Sequence, residues 1–209
     1  MIQALSALAP IGAVLPTSAY PPLAIGFFGL GTGYFIWGGQ SMFNFPPASK
    51  EVDQSIGAWG IWMPGFMQFL AGTYIFVGIT VLNVFATGSS KTPLYMAGLA
   101  FTAYGVHWFS MGWRRYIGAG VLPDAWMAIT FAVISILGIV VFFGASDTPV
   151  AIVFILLTLI YLSEAAFRFF NLPMGGKLVA LWQLLNGIWL MYLTFAATLN
   201  ASLGYHWWI

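Results

Sequence analysis

Few side chains in this 209-residue sequence could do chemistry, and they do not form a catalytic set. The chain holds two histidines, His107 and His206, five carboxylates and no cysteine. A protein metal site needs three or four clustered ligands, and the spacing of these residues offers no such cluster. Disulfides and thiolate sites are excluded because cysteine is absent. We therefore predict no catalytic residue, no metal and no cofactor, and we do not expect an enzyme.

One charged pair lies inside an apolar stretch. Glu164 and Arg168 are four residues apart, so in a helix they share a face and can pair. Ionisable residues within apolar helices are rare and are usually paired or functional. The first interpretation is an ion pair near the helix end, with the arginine extending towards the headgroups. The second is a charged mouth that attracts small polar solutes.

Uncharged polar side chains are the other candidates. His107 lies midway along an apolar stretch and is either a packing residue or a proton relay. Amides within helices either hold a bundle together or line a polar path; the amides in question are Gln40, Gln68, Asn83, Gln183 and Asn186.

The composition indicates a membrane protein. The chain is 61% hydrophobic and only 5% charged, whereas soluble domains carry about 25% charged residues. Lipid rather than water must therefore surround the fold. A net charge of +1, with no basic cluster larger than Arg114-Arg115, excludes nucleic acid as a partner.

Six stretches are long and apolar enough to span a membrane as helices, which takes about 20 residues each. They are approximately 22–43, 57–85, 93–113, 124–144, 149–170 and 178–203, and proline stands at 93, 123 and 149, near predicted helix starts. We predict an all-α integral membrane protein with one six-helix transmembrane domain over 22–203. Residues 1–21 are expected to form an interfacial or disordered arm, or alternatively a cleaved leader, and 204–209 a C-terminal tail.

The positive charges predict the orientation. Lys50, Arg114, Arg115 and Lys177 fall in the first, third and fifth connections, and the second holds only Lys91. Basic residues are enriched on the cytoplasmic side. We therefore expect both termini outside a plasma or inner membrane.

Glycines form a stripe in the first predicted helix, at Gly26, Gly29 and Gly33. Such a stripe permits close helix packing. It also suits a narrow conduit, in which glycine makes room and an aromatic ring closes the path. We expect the glycine-lined sides to face a shared gap, with one channel-like pathway in each protomer.

Four segments resemble the acetate uptake transporter family. The segment PLAIGFFGLGTG is similar to the signature NPAPLGLxGFG, with Pro22-Leu23 matching its PL and Phe28-Gly29 its final FG. The segment GLAFTAYG is close to GLTAFTSYG, and LLTLIYL is similar to FSLTVLF. The segment LVALWQLLNGIWLMYLTFAATLN resembles the last-helix pattern ending in YxAxAxxLN. The family's Asn-Pro-Ala is replaced here by Ala19-Tyr20-Pro21.

The resemblance implies a six-helix protein, typically a homohexamer, that passes acetate, succinate and related small carboxylates. It also implies a pore constriction formed by Phe28, Tyr104 and Leu159. The related urea and amide channels share the fold, and their fifth connection resembles NLPMGGK. A channel for urea or short-chain amides is therefore the alternative function.

We predict a channel or proton-coupled carrier for small monocarboxylates such as acetate. The substrate would cross as the neutral acid, or with its charge met by the Tyr104 hydroxyl, because an unpaired charge is costly in a low dielectric. The candidate path residues are Pro22, Leu23, Gly29, Gly33, Thr102, His107, Gln183 and Asn186. A third interpretation is an accessory structural subunit of a larger membrane complex.

Overall fold

The computed structural model describes residues 22–82, 84–85, 91–172 and 174–209. The predicted arm over 1–21 and the amide Asn83 lie outside these residues. Within the described ranges the chain forms six helices and no strand, which confirms the predicted all-α membrane fold. The helices are α1 Leu23–Phe43, α2 Lys50–Thr80, α3 Lys91–Ile117, α4 Asp124–Gly144, α5 Thr148–Phe170 and α6 Gly175–Leu203.

Helix α2 begins seven residues earlier than the apolar pattern predicts. Ser49 has extended backbone angles, and its hydroxyl accepts a hydrogen bond from the Val52 amide at 3.3 Å. Glu51 and Asp53 occupy the first turn, where acidic side chains interact favourably with the helix dipole. Capping therefore makes this polar segment helical without hydrophobic periodicity.

The middle of α2 is a π-helical segment, Ile61–Phe66, with Pro64 inside it. Proline has no amide hydrogen and clashes with the preceding turn, so a regular α-helix cannot continue through it. The wider π turn accommodates the ring, and the helix resumes at Met67.

The six helices form a closed ring in chain order. Each helix packs against the next one in the chain, and α6 packs extensively against α1. The contact between α3 and α4 is the least extensive of these. A ring of six helices leaves a central space, which side chains must fill or leave as cavities.

The glycine stripe of α1 is a packing surface and does not line this space. A methyl group on Gly29 would lie 2.6 Å from the Met63 carbonyl oxygen, and one on Gly33 would lie 2.6 Å from Pro64 Cγ. Both glycines therefore bring α1 into close contact with the π segment of α2. The expectation that these glycines face a gap is wrong, because α2 occupies that side of the helix.

Four helices are long and apolar enough to cross a membrane, namely α2, α4, α5 and α6. Helix α1 has 21 residues and no charged side chain. At about 1.5 Å per residue it also reaches across a hydrocarbon core of about 30 Å. Helix α3 is longer and lies in the ring between α2 and α4.

Candidate functional site

A narrow cavity of about 70 Å³ lies at the end of the ring where α1, α3 and α5 begin. We call it the apolar cavity, since nearly all of its walls are hydrocarbon. Helix α1 contributes Leu23, Phe27 and Leu30, and helix α5 contributes Val150, Val153, Phe154 and Leu157. Its polar wall residues are Gln68, Tyr104 and Asp147.

A wider cavity of about 460 Å³ lies at the opposite end of the ring. We call it the charged cavity. Its walls include Trp37, Asp53, Arg114, Arg115, Glu164, Arg168 and Gln183.

The two cavities face each other across a constant interval on four helices. On each of these helices, the residue of the apolar cavity that lies nearest the charged cavity is seven positions from the nearest residue of the charged cavity. The pairs are Leu30 and Trp37 on α1, Tyr104 and Met111 on α3, Leu157 and Glu164 on α5, and Leu190 and Gln183 on α6. Seven residues of helix correspond to about 10 Å, so the cavities lie in line and a short partition separates them.

The partition is a layer of four side chains, which we call the central layer: Tyr34, Trp108, Tyr161 and Asn186. Each of the four lies between the two paired residues of its helix, four positions from the residue in the apolar cavity and three from the residue in the charged cavity. All four are almost completely buried.

Aromatic contacts make the central layer dense. The rings of Tyr34 and Trp108 meet edge to face at 5.7 Å, and Trp108 also lies 4.6 Å from Trp37. Tyr161 stacks on Tyr104 at 5.9 Å, with 4° between the ring planes. A solute moving between the cavities must therefore displace rings or pass between them.

His107 lies beside the central layer among aromatic rings. Its ring is 4.4 Å from Phe131 and 5.9 Å from Tyr161, and it is buried. The structure thus places the predicted relay candidate next to the partition, within a cluster of hydrocarbon faces.

Several buried polar atoms along this line have no hydrogen-bond partner in the described part of the chain. They are the Tyr34 hydroxyl, the indole nitrogen of Trp108, and the side-chain oxygen and nitrogen of both Gln68 and Asn186. An unpaired buried polar group costs about 1–3 kcal/mol. Such groups are uncommon in folded proteins, and a bound water or solute is one explanation for them.

Tyr104 is hydrogen-bonded to Ser135 of α4 at the partition. Its hydroxyl lies 2.8 Å from Ser135 Oγ, and Ser135 itself donates to the Phe131 carbonyl oxygen at 2.7 Å. Serine has a single hydroxyl hydrogen, so Tyr104 must be the donor to Ser135. In this arrangement the Tyr104 hydrogen would have to leave Ser135 to meet the charge of a solute carboxylate, as the predicted role of Tyr104 requires.

The arginines of the charged cavity all have carboxylate partners. Arg114 contacts Asp124 at 2.6 Å, and Arg168 contacts Glu164 at 2.9 Å and Asp124 at 3.7 Å. This network joins α3, α4 and α5, and its Arg114–Asp124 pair bridges the sparse contact between α3 and α4. Glu164 and Arg168 thus form the pair that their spacing indicates, within a larger network.

A second ion pair lies on the other side of the charged cavity. Arg115 contacts Asp53 at 2.8 Å and Gln40 at 3.1 Å, and its guanidinium group lies 5.1 Å from the centre of the Trp37 ring. The cavity therefore presents both signs of charge next to the aromatic edge of the partition.

Asp147 is a charged residue at the mouth of the apolar cavity. It caps α5 by accepting a hydrogen bond from the Val150 amide at 3.2 Å. Burial raises the pKa of this carboxyl, and the hydrogen bond from Val150 opposes the rise. An acidic group here disfavours anions at this mouth.

The structure brings together seven of the predicted site residues. Leu23 and Tyr104 line the apolar cavity, and Gln183, Glu164 and Arg168 line the charged cavity. His107 and Asn186 lie between the two cavities.

The remaining predicted residues lie elsewhere. Phe28 is 41% exposed on the outside of the ring, and Leu159 is partly buried and lines neither cavity. Pro22 precedes α1, and Thr102 packs against Gly72 of α2. The walls next to Tyr104 are formed instead by Phe27, which is 3% exposed, and by Leu157.

Sequence reasoning missed Tyr34, Trp37 and Tyr161. The available signal was an alternation of three- and four-residue spacings, at positions 27, 30, 34 and 37 of α1 and at 150, 154, 157, 161, 164 and 168 of α5. This spacing is typical of a single helix face. It indicates a buried stripe more directly than the glycines do.

No protein-family model and no curated protein matches this chain. Among solved structures it is similar to one described as the bacterial acetate channel SatP. The two chains share 19% sequence identity, and the match covers 88% of this chain and 94% of that one with a TM-score of 0.66. At this identity the likeness shows a shared membrane fold.

Proposed function

We propose that this protein passes small monocarboxylic acids, with acetic acid as the first candidate, through each protomer. The observation that carries the proposal is the alignment of two cavities across the central layer on four helices. The fold shared with a channel for acetate supports it. Succinate is a further candidate, although the apolar cavity of about 70 Å³ favours smaller solutes.

The proposed permeant form is the uncharged acid. Among the described residues, no lysine or arginine lies in the apolar cavity or the central layer. An ionised carboxylate without a partner is very costly in a low dielectric, and protonation removes that cost. Transport would then consist of proton uptake at one mouth and release at the other, or of direct passage of the neutral acid.

The proposed narrow path differs from the constriction that the family resemblance implies. The walls that lead to the central layer keep Tyr104, but Phe27 takes the place of Phe28 and Leu157 that of Leu159. Phe27 and Leu157 are fully buried and face the apolar cavity. Widening this part of the path should relax size selection.

A channel for urea or short-chain amides is the second candidate. Two observations favour it: the Tyr104 hydroxyl is free to accept a hydrogen bond while its own hydrogen is directed to Ser135, and Asp147 gives the mouth an acidic group. Both suit a neutral solute with hydrogens to donate. The accessory-subunit interpretation gives no reason for aligned cavities, and purification of the chain with foreign subunits would support it.

We further propose a homohexamer in the plasma or inner membrane, with both termini outside. The charged cavity lies at the end of the ring that carries Arg114, Arg115 and Lys177, and basic residues favour the cytoplasmic side. Native mass spectrometry would measure the copy number. Accessibility of cysteines introduced near residues 119 and 204 would test the orientation.

The proposed function is tested by solute flux into proteoliposomes of the purified chain, measured against protein-free liposomes. Labelled acetate flux through the protein should rise steeply between pH 7 and pH 5, as the neutral acid becomes more abundant. Labelled urea flux should be independent of pH if urea passes at all. Absence of protein-dependent flux for acetate, urea and acetamide alike would overturn the channel proposal.

A further inference from the structure

Two buried amides are the most unusual feature of the path. Gln68 and Asn186 are both 0% exposed, and none of their four amide oxygen and nitrogen atoms has a hydrogen-bond partner among the described residues. By contrast, Gln40, near the C-terminal end of α1, accepts a hydrogen bond from Arg115 and donates one to the Pro46 carbonyl oxygen. Hydrogen bonding between helices therefore does not explain why the amides of Gln68 and Asn186 are buried.

Their positions relate them to the solute path. Gln68 lines the apolar cavity. Asn186 belongs to the central layer, three residues from Gln183 in the charged cavity and four from Leu190 in the apolar cavity. These intervals place all three α6 residues on one helix face.

The chemistry of a primary amide defines its best partner. An amide presents an acceptor oxygen beside a donor NH₂ group. The complementary solute is planar and carries a donor next to an acceptor, so that two hydrogen bonds form side by side. Neutral carboxylic acids, primary amides and urea have this pattern. A carboxylate has only acceptors, so it leaves the amide oxygen facing another oxygen.

We infer that Asn186, assisted by Gln68, recognises the solute by such reciprocal pairs of hydrogen bonds. The inference rests on the proposed channel function and deepens it. It assigns a specificity-determining role to Asn186 and names the solute class: small planar neutral molecules with an adjacent donor and acceptor. The selectivity against carboxylates then comes from hydrogen-bond direction as well as from charge.

The first test uses the wild-type protein and two isomers. Propionamide and dimethylformamide have the same atoms, but only propionamide has N–H donors. Excess propionamide should reduce labelled acetamide flux through proteoliposomes, and dimethylformamide should reduce it at least about tenfold less effectively, the expected effect of one lost hydrogen bond of about 1.4 kcal/mol. Equal competition by the two isomers would overturn the inference, even where the channel itself conducts.

The second test uses Asn186→Leu and Gln68→Leu, with Thr198→Val as control. Thr198 is exposed, and its hydroxyl is satisfied by the Thr194 carbonyl oxygen of its own helix. Asn186→Leu should reduce acetamide flux about tenfold and reduce ethylene glycol flux much less, because ethylene glycol is flexible and does not hold a donor and an acceptor side by side in one plane. A variant that lowers both fluxes equally would indicate packing alone and contradict the inference. Should Asn186→Leu not fold, Gln68→Leu and the isomer competition still decide.

These outcomes are separable from failure of the proposed function. If the wild-type protein conducts none of these solutes, the proposed channel function is wrong. A wild-type protein that conducts acetamide, acetic acid and ethylene glycol without discrimination retains the channel and removes the role of the amides.

Discussion

Phe27 and Phe28 are adjacent in the chain, yet only Phe27 faces the centre of the ring. Phe27 is 3% exposed, lines the apolar cavity and meets Phe101 edge to face at 5.6 Å. Phe28 is 41% exposed on the outer surface. Successive residues of a helix are about 100° apart, so a one-residue shift changes a wall residue into a lipid-facing one.

This relationship predicts opposite results for two similar substitutions. Phe27→Ala should enlarge the apolar cavity and raise flux of butyrate relative to acetate several-fold. Phe28→Ala should leave that ratio within about twofold of wild type, since the removed ring lies outside the ring of helices. The ratio is measured in proteoliposomes at pH 5. A larger effect from Phe28→Ala than from Phe27→Ala would restore the constriction implied by the family resemblance.

The hydrogen bond from Tyr104 to Ser135 gives a second prediction. Ser135→Ala leaves the Tyr104 hydroxyl hydrogen without its acceptor, which should destabilise the protein by about 1–3 kcal/mol. It also frees that hydrogen for a solute carboxylate. We expect acetate flux at pH 7 to rise relative to acetamide flux, measured side by side in the same liposome preparation.

Tyr104→Phe is the control for this effect, since it removes the hydroxyl altogether. The double variant Ser135→Ala with Tyr104→Phe should show no gain in relative acetate flux. A gain that persists in the double variant would mean that Tyr104 is not its source.

The glycine contacts between α1 and α2 give a third prediction. A methyl group on Gly33 meets Pro64 Cγ at 2.6 Å, whereas nothing lies within 4 Å of one on Gly39. Gly33→Ala should therefore destabilise the protein by about 1–3 kcal/mol through overpacking. Gly39→Ala should be neutral or slightly stabilising. Thermal unfolding in detergent measures both, and equal melting temperatures would contradict the packing role.

Much of the fold could be predicted from the sequence, because lipid requires long apolar helices with satisfied backbones. The six helices follow from apolar stretches separated by proline and charged residues. The start of α2 could not be predicted in the same way. It depends on the Ser49 cap and on acidic residues in the first turn, which hydrophobicity does not register.

The site was less predictable than the fold. His107 and Asn186 were candidates from residue type, and Tyr104 from the family resemblance, but the rotation of α1 and α5 decides which neighbours face inwards. The alignment of Tyr34, Trp108, Tyr161 and Asn186 depends on the relative heights of four helices. These relative positions along the axis of the bundle are set by packing between helices, which the sequence of a single helix does not encode.

The ion network of the charged cavity gives a fourth prediction. Asp124 lies between two arginines, at 2.6 Å from Arg114 and 3.7 Å from Arg168. Asp124→Asn leaves Arg114 without a carboxylate partner, and loss of that partner for a partly buried charge should lower stability by about 1–3 kcal/mol. Arg168 retains Glu164. The effect is measured by thermal unfolding in detergent at low salt.

The Asp124→Asn variant is compared with the double variant Arg114→Gln with Asp124→Asn. The double variant should recover part of the lost stability, since it removes the unpaired charge together with its former partner. If the two losses simply add, the network is not coupled and the prediction is wrong.

The pH dependence of stability should include a term from Asp147. Burial raises the pKa of this carboxyl in the folded protein above its ordinary value. The folded state then holds the proton more tightly than the unfolded state does, so stability is greatest below the unfolded pKa of about 3.9 and is lost as the pH rises through the folded pKa.

The variant Asp147→Asn tests this effect, because asparagine keeps an N-cap side chain but cannot titrate. Melting temperatures of both proteins in detergent, measured from pH 4 to pH 7, should therefore converge at low pH, and the wild type should fall below Asp147→Asn as the pH rises. Parallel curves across the range would mean that the carboxyl at the mouth of the apolar cavity has an ordinary pKa.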